Sequence, residues 1–364
     1  MKKLLAILLA LALVLVNVAA LADGIPEVPV NEDQIEDMIE TALANKATDP
    51  TFVKKYTVTG AASGTTVYPA ETLTFSVTPK DTTYPTVTVG TNNKYVVDGK
   101  SAEYTIAVNV PAASAYAKPG KYHYDVKETG AETASQGVTY NTTTNFSVDV
   151  WVYYEGTTLT RVVNVYSGAE VTGEATTKDD KLENQYKVGK LTVTKQISGN
   201  LADPTKVFTI NVLLESTNKV TSDIKLTPDT GVTVTSEGTW SDANTRTITF
   251  TAVGGKGLTI ENIPEGVTYT VTELTGTDTG AVHEITGATG NTQIDKVNDL
   301  DAYAITYTTA TGAISSSEAK TATVTNTKEI TVPNGISVDF VPYVMIIALA
   351  GIALVALKAR KKEN

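Results

Sequence analysis

Apolar and polar residues alternate with a period of two along the middle of this chain, which is rich in Thr, Val, Tyr and Gly. In a strand, successive side chains point to opposite faces, so this pattern predicts many short antiparallel strands, each with one face in a core. β-Branched and aromatic residues suit such a pleated, half-buried surface. Without its two ends the chain has roughly 310 residues, enough for two or three domains. The expected class is all-β, built as two tandem immunoglobulin-like β-sandwiches.

The strand-like sequence divides into two units, 51–186 and 187–330, that carry the same marks in the same order. Each opens with a lysine on an apolar face: Phe52, Lys54, Tyr56 and Val58, then Leu191, Val193, Lys195 and Ile197. Each continues with Tyr-x-Val-x-Glu: Tyr124, Val126 and Glu128, then Tyr269, Val271 and Glu273. Each closes with an asparagine among apolar residues: Leu182, Asn184 and Tyr186, then Ala322, Val324 and Asn326. Lys55 is adjacent to Lys54, and a slip of one residue would turn it inward instead. The face shared with Phe52, Tyr56 and Val58 favours Lys54.

Period-two geometry points each lysine, glutamate and asparagine into a core. An unpaired charge there is very costly. Desolvation lowers the pKa of a buried lysine and raises that of a buried glutamate, leaving a neutral amine, a protonated acid and a neutral amide together. The amine can attack the side-chain carbonyl of the asparagine while the acid polarises that carbonyl and passes protons. Ammonia leaves, and an amide joins the first strand of the unit to the last. The candidate catalytic groups are Glu128 and Glu273, and the candidate cross-links are Lys54–Asn184 and Lys195–Asn326. The plainer alternative is an edge lysine paired with a surface glutamate, usually worth ~0–1 kcal/mol.

The ends have a different composition. Lys2 and Lys3, the apolar run 4–16 and Ala20-Leu21-Ala22 read as a secretory signal, residues 1–22, cleaved after Ala22. Residues 23–50 form a linker in which Ile35, Met38, Ile39 and Leu43 have the spacing of a short amphipathic helix. At the other end, residues 331–364 hold Thr331-Val332-Pro333-Asn334-Gly335, an apolar stretch from Phe340 to Leu357, and the basic residues Lys358, Arg360, Lys361 and Lys362. At ~1.5 Å per residue that stretch nearly crosses a ~30 Å hydrocarbon core, and its basic tail would stay cytoplasmic. This arrangement resembles a sortase sorting signal. Pro333 holds the segment extended for attack at the Asn334 carbonyl, and Gly335 becomes the leaving amine. Thr331 and Asn334 depart from the commonest form of the signal, which has Leu first and Thr fourth. A turn before a membrane helix is the alternative, because Asn-Gly favours turns.

A net charge of −11 argues against nucleic acid and other polyanions as partners. The chain has no cysteine, and His123 and His283 are isolated, each reading as an ordinary strand position; together they leave little for a zinc site or a Cys–His nucleophile pair. Asp299 and Asp301 lack a calcium-loop motif around them. No metal and no cofactor is expected. Trp151 and Trp240 read as single strand positions, with no aromatic binding groove.

The sequence resembles the major backbone pilins of streptococci, two-domain proteins with Lys–Asn isopeptide bonds. The matching stretches are Leu-Thr-Val-Thr-Lys-x-x-Ser-Gly at 191–199, Pro-Glu-Gly-Val-Thr-Tyr-Thr-Val-Thr-Glu at 264–273, and Val-Thr-Asn-Thr-Lys at 324–328. The first unit matches mainly at Tyr-Asp-Val-Lys-Glu, 124–128, and around Asn184. The resemblance implies bond-forming roles for Lys54, Glu128, Asn184, Lys195, Glu273 and Asn326. It further implies a shaft subunit, secreted and then anchored in a Gram-positive cell wall. Its partners would be a sortase, further copies of itself, peptidoglycan and minor pilins. The acceptor lysine of the family falls on Thr177, so Lys178 is the nearest candidate for the intersubunit link, with Lys181 behind it. A monomeric wall-anchored adhesin or stalk is the alternative. A secreted enzyme fits least, because the one catalytic constellation acts on its own chain and turns over once.

Overall fold

The computed structural model describes residues 50–168, 170, 181–274, 292–294 and 303–329. The first part holds β1 (Thr51–Thr59), β2 (Ala70–Pro79), β3 (Thr88–Val89), β4 (Lys94–Asp98), β5 (Glu103–Asn109), β6 (Gly120–Ala131), β7 (Val138–Thr139), β8 (Asn145–Glu155) and β9 (Thr158–Ser167). Then comes β10 (Lys181–Ser198), the longest of the described strands. The rest holds β11 (Phe208–Glu215), β12 (Lys225–Pro228), β13 (Thr233–Ser236), β14 (Thr245–Ala252), β15 (Lys256–Pro264), β16 (Thr268–Leu274), β17 (Thr292–Ile294), β18 (Ala304–Thr308), β19 (Thr311–Ala313) and β20 (Lys320–Thr327). Among the described residues the only helix is a 3₁₀ turn, Ala113–Ala115. The described part of the protein is all-β, as the alternation implies.

Two sheets of five strands run β4-β2-β6-β8-β9 and β13-β14-β11-β16-β19. A third sheet, of ten strands, is shared along the chain, with β18-β20-β10-β1-β5 at its centre. The first hydrophobic cluster runs from Phe52 to Val188 and draws side chains from β1, β2, β6, β8 and the first half of β10. The second runs from Leu191 to Val324 and draws on the rest of β10 with β11, β14, β15, β16 and β20. Strand β10 therefore closes one core and opens the next without a break. The division expected between residues 186 and 187 falls inside it. Its pairing with β15 shifts register between Gly189 and Leu191, where the strand passes from one core to the other. A Cβ on Gly189 would stand 2.2 Å from the Ser315 carbonyl oxygen, so only glycine allows this approach.

The two halves also meet through hydrogen bonds. The Ala62 N–H donates to Asn262 Oδ1 at 2.8 Å, the Ala70 N–H to Thr221 Oγ1 at 2.8 Å, and the Gln136 N–H to the Lys219 carbonyl at 2.9 Å. Trp151 lies in β8, whereas Trp240, expected on a strand, lies in the loop between β13 and β14. That loop position lets Trp240 pack beside the second core without joining the ladder.

Candidate functional site: two buried Lys–Glu–Asn clusters

In each half the opening strand runs parallel to the closing one. Lys54 is opposite Leu182 and Tyr56 opposite Asn184 across β1 and β10, while Lys195 is opposite Val324 and Ile197 opposite Asn326 across β10 and β20. The glutamates come from the facing sheets, Glu128 on β6 and Glu273 on β16. Both sets turn inward with the apolar residues that flank them. Lys54, Glu128, Asn184 and Lys195 have no exposed surface, and Glu273 and Asn326 are 2 % and 1 % exposed. Lys55 points to the outer face and lies 3.2 Å from Glu183.

In the first cluster, Lys54 Nζ donates to Glu128 Oε2 at 2.7 Å, and Asn184 Nδ2 donates to Glu128 Oε1 at 2.7 Å. The Asn184 carbonyl oxygen accepts the backbone N–H of Asn141 at 2.8 Å. In the second, Lys195 Nζ donates to Glu273 Oε2 at 2.8 Å and Asn326 Nδ2 to Glu273 Oε1 at 2.7 Å. Lys195 Nζ also donates to Asn326 Oδ1. Aromatic rings shield both amines from water: the Tyr56 centroid is 5.5 Å from Lys54 Nζ and the Phe208 centroid 4.3 Å from Lys195 Nζ.

Burial pushes the amines of Lys54 and Lys195 below the ordinary lysine pKa, against the pull of the partner glutamates. Burial also raises the Glu128 carboxyl above its ordinary value, although Lys54 opposes this. Each shift favours the uncharged form. In one respect the geometry differs from the expectation that the acid polarises the carbonyl. Each glutamate meets the nitrogen of the asparagine amide, because its oxygen is held elsewhere: by the Asn141 N–H in the first cluster and by the lysine in the second. A carboxyl in that position can protonate the departing nitrogen.

Two features were not legible as sequence patterns. Glu71 is buried beside the first cluster and accepts the Tyr56 hydroxyl at 2.6 Å and the Tyr140 hydroxyl. His123, read as an ordinary strand position, is on β6 but buried, with Nδ1 2.7 Å from Asp149 Oδ1. His123, Asp149 and Glu170 converge as a metal site would require. The Lys121 amine lies 3.0 Å from Asp149 and 3.2 Å from Glu170 and supplies the cation there.

A domain family of unknown function, DUF7601, matches residues 189–328. A pilin of Streptococcus pyogenes serotype M1 is 26% identical over 260 residues, which cover 68% of this chain and 69% of that pilin. The chain is similar to this streptococcal pilin. The crystal structure of the major pilin of Streptococcus pyogenes aligns over 77% of this chain and 98% of that one, at 20% identity and a TM-score of 0.45. The T3.2 major pilin of the same species has the same coverage, at 18% identity and a TM-score of 0.45.

Several expected features lie outside the described residues: the signal 1–22, most of the linker 23–50, Lys178, the pentapeptide from Thr331 to Gly335, and the apolar stretch Phe340 to Leu357. Among the described residues no helix is long and apolar enough to cross a membrane. Lys181 opens β10 as an exposed residue 4.0 Å from Glu103.

Proposed function

We propose that this protein is a subunit of a covalently assembled pilus on a Gram-positive surface, with each half locked by a Lys–Asn isopeptide bond. The observation that carries the reading is the pair of buried clusters. Each brings an amine, a carboxyl and a primary amide together through hydrogen bonds in a buried core, in one order and with one strand register. A charge pair kept only for stability is seldom worth such burial, since an apolar replacement is often as good. In the proposed reaction the lysine amine attacks the asparagine Cγ, an amide forms, and ammonia leaves with a proton relayed by Glu128 or Glu273. This is a single turnover on the protein itself, not enzymatic catalysis of a substrate.

The kinship with a protein named pilin supports the assembly half of the reading. A sortase would cleave between Asn334 and Gly335 and pass the acyl group to Lys178 of the next subunit, or finally to peptidoglycan, with minor pilins as further partners. The units 51–186 and 187–330 would be the two shaft domains. The decisive experiment is the intact mass of the recombinant protein, expected to be two ammonia molecules below the sequence mass. A full sequence mass would overturn the cross-link, and a single heat-stable band in place of a ladder in boiled wall extracts would favour a monomeric wall-anchored adhesin or stalk.

A further inference from the structure

The two clusters differ at one atom, the carbonyl oxygen of the asparagine. Asn326 Oδ1 faces its own lysine, and among the described residues no backbone N–H reaches it. Asn184 Oδ1 instead receives the N–H of Asn141 at 2.8 Å. That donor is held firmly. Strand β7 pairs with β10 at Thr139 opposite Gln185 and Val138 opposite Tyr186, which brings the next residues alongside Asn184. Tyr140 is tied down through its hydroxyl to Glu71. The Asn141 side chain closes a turn over the site, its Oδ1 accepting the N–H groups of Thr143 at 3.3 Å and Thr144 at 3.1 Å.

We infer that the backbone N–H of Asn141 is an oxyanion donor for amide formation in the first cluster. This inference rests on the cross-linking reading above. When Lys54 Nζ adds to Asn184 Cγ, the C=O π electrons move onto Oδ1 and the carbon becomes tetrahedral. The oxygen shifts by only a fraction of an ångström and keeps its donor. A fixed dipole aimed at a developing charge in a buried site needs no reorganisation during the reaction. The amine loses its proton through Glu128, which gives it to Nδ2. The Cγ–Nδ2 bond breaks, ammonia departs, and the oxyanion collapses to the new amide carbonyl. The Asn141 N–H gives up no proton and is regenerated unchanged. The second cluster has no such donor among the described residues, so it serves as an internal clock within the same molecule.

The test replaces Asn141 by its α-hydroxy analogue during cell-free synthesis of the full chain, turning one N–H into an oxygen while keeping the side chain and its turn. Samples quenched over time are digested, and the Lys54–Asn184 and Lys195–Asn326 cross-linked peptides are quantified by mass. Loss of one oxyanion donor slows such reactions by ~10²–10³-fold. The expected result is a slowdown of that order at Lys54–Asn184, with Lys195–Asn326 forming at the unmodified rate. Asn141→Ala, which keeps the N–H, should link far faster than the ester. Equal rates at Lys54–Asn184 in ester and unmodified chains would overturn the inference. So would an equal slowdown in Asn141→Ala and the ester, which would assign the effect to the turn. Absence of both cross-links from the unmodified chain would instead reject the cross-linking reading itself.

Discussion

Lys54 and Asn184 stand on adjacent parallel strands with an offset of two residues, since Lys54 is opposite Leu182. Lys195 and Asn326 repeat the same offset, with Lys195 opposite Val324. The offset lets the long lysine side chain reach along the strand to the shorter asparagine while both keep to the inner face. A register two residues longer would move the amide a further ~6–7 Å along the strand, away from the lysine.

Glu128→Ala is expected to leave the mass one ammonia molecule heavier than that of the parent, and so is Glu273→Ala. The double variant should have the full sequence mass. Each glutamate bridges its lysine and asparagine through separate oxygens, so its loss removes the proton path between amine and amide. Peptide mapping should place the surviving cross-link in the half that was not altered. Cross-linking of the altered half at the parental rate would count against acid–base roles for these residues.

Asn326→Ala should lower the stability of the second half by about 5 kcal/mol, because its cross-link closes a loop of more than ~100 residues in the unfolded chain. For a domain of this size that corresponds to a fall in Tm of roughly 10–20 °C. Calorimetry and timed trypsin digestion would register it. Unchanged melting together with unchanged digestion would mean that the bond adds nothing to the fold.

The rate of the Lys54–Asn184 reaction should form a plateau in pH with a limb on each side. Reaction needs a neutral amine and a protonated acid, which together hold one proton fewer than the fully protonated pair. Burial lowers the Lys54 pKa below 10.5, so the amine is freed at a pH where an exposed lysine is still charged. Burial raises the Glu128 pKa above 4.5, so the acid persists where an exposed glutamate has ionised. As pH falls the amine takes up a proton and the rate drops; as pH rises the acid loses its proton and the rate drops again. Time-resolved mass measurement across pH checks this. A rate that climbs steadily to pH 10.5 would indicate an ordinary exposed amine.

Lys178→Ala is expected to abolish the ladder of multimers in wall extracts while both internal amides and wall anchoring persist. The link would run from the Asn334 carbonyl of one subunit to the Lys178 side chain of the next, a head-to-tail contact that propagates as a fibre. A ladder that survives in this variant but not in Lys181→Ala would move the role to Lys181. A ladder in the double variant would exclude the whole segment.

Strand character was readable in the sequence because alternation of period two is a local signal, and the burial of Phe52, Lys54 and Tyr56 follows from it. The same rule turned Glu128, Asn184, Lys195, Glu273 and Asn326 inward, since a charged or amide residue in an apolar row shares the fate of its neighbours. It also separated Lys54 from Lys55, because adjacent residues must take opposite faces. Nothing local could say that β10 runs unbroken through both cores, because that depends on its pairing with β1 on one side and β20 on the other. Nor could it orient the asparagine amides. Which end of Asn184 meets Glu128 is decided by the Asn141 N–H, a backbone group that leaves no mark in the amino-acid alphabet. The burial of His123 against Asp149 was likewise hidden, since their contact needs β6 and β8 side by side. The residue types and their faces were set along the chain, whereas the hydrogen-bond partners that give those residues their chemistry came from strands brought together only by the tertiary fold.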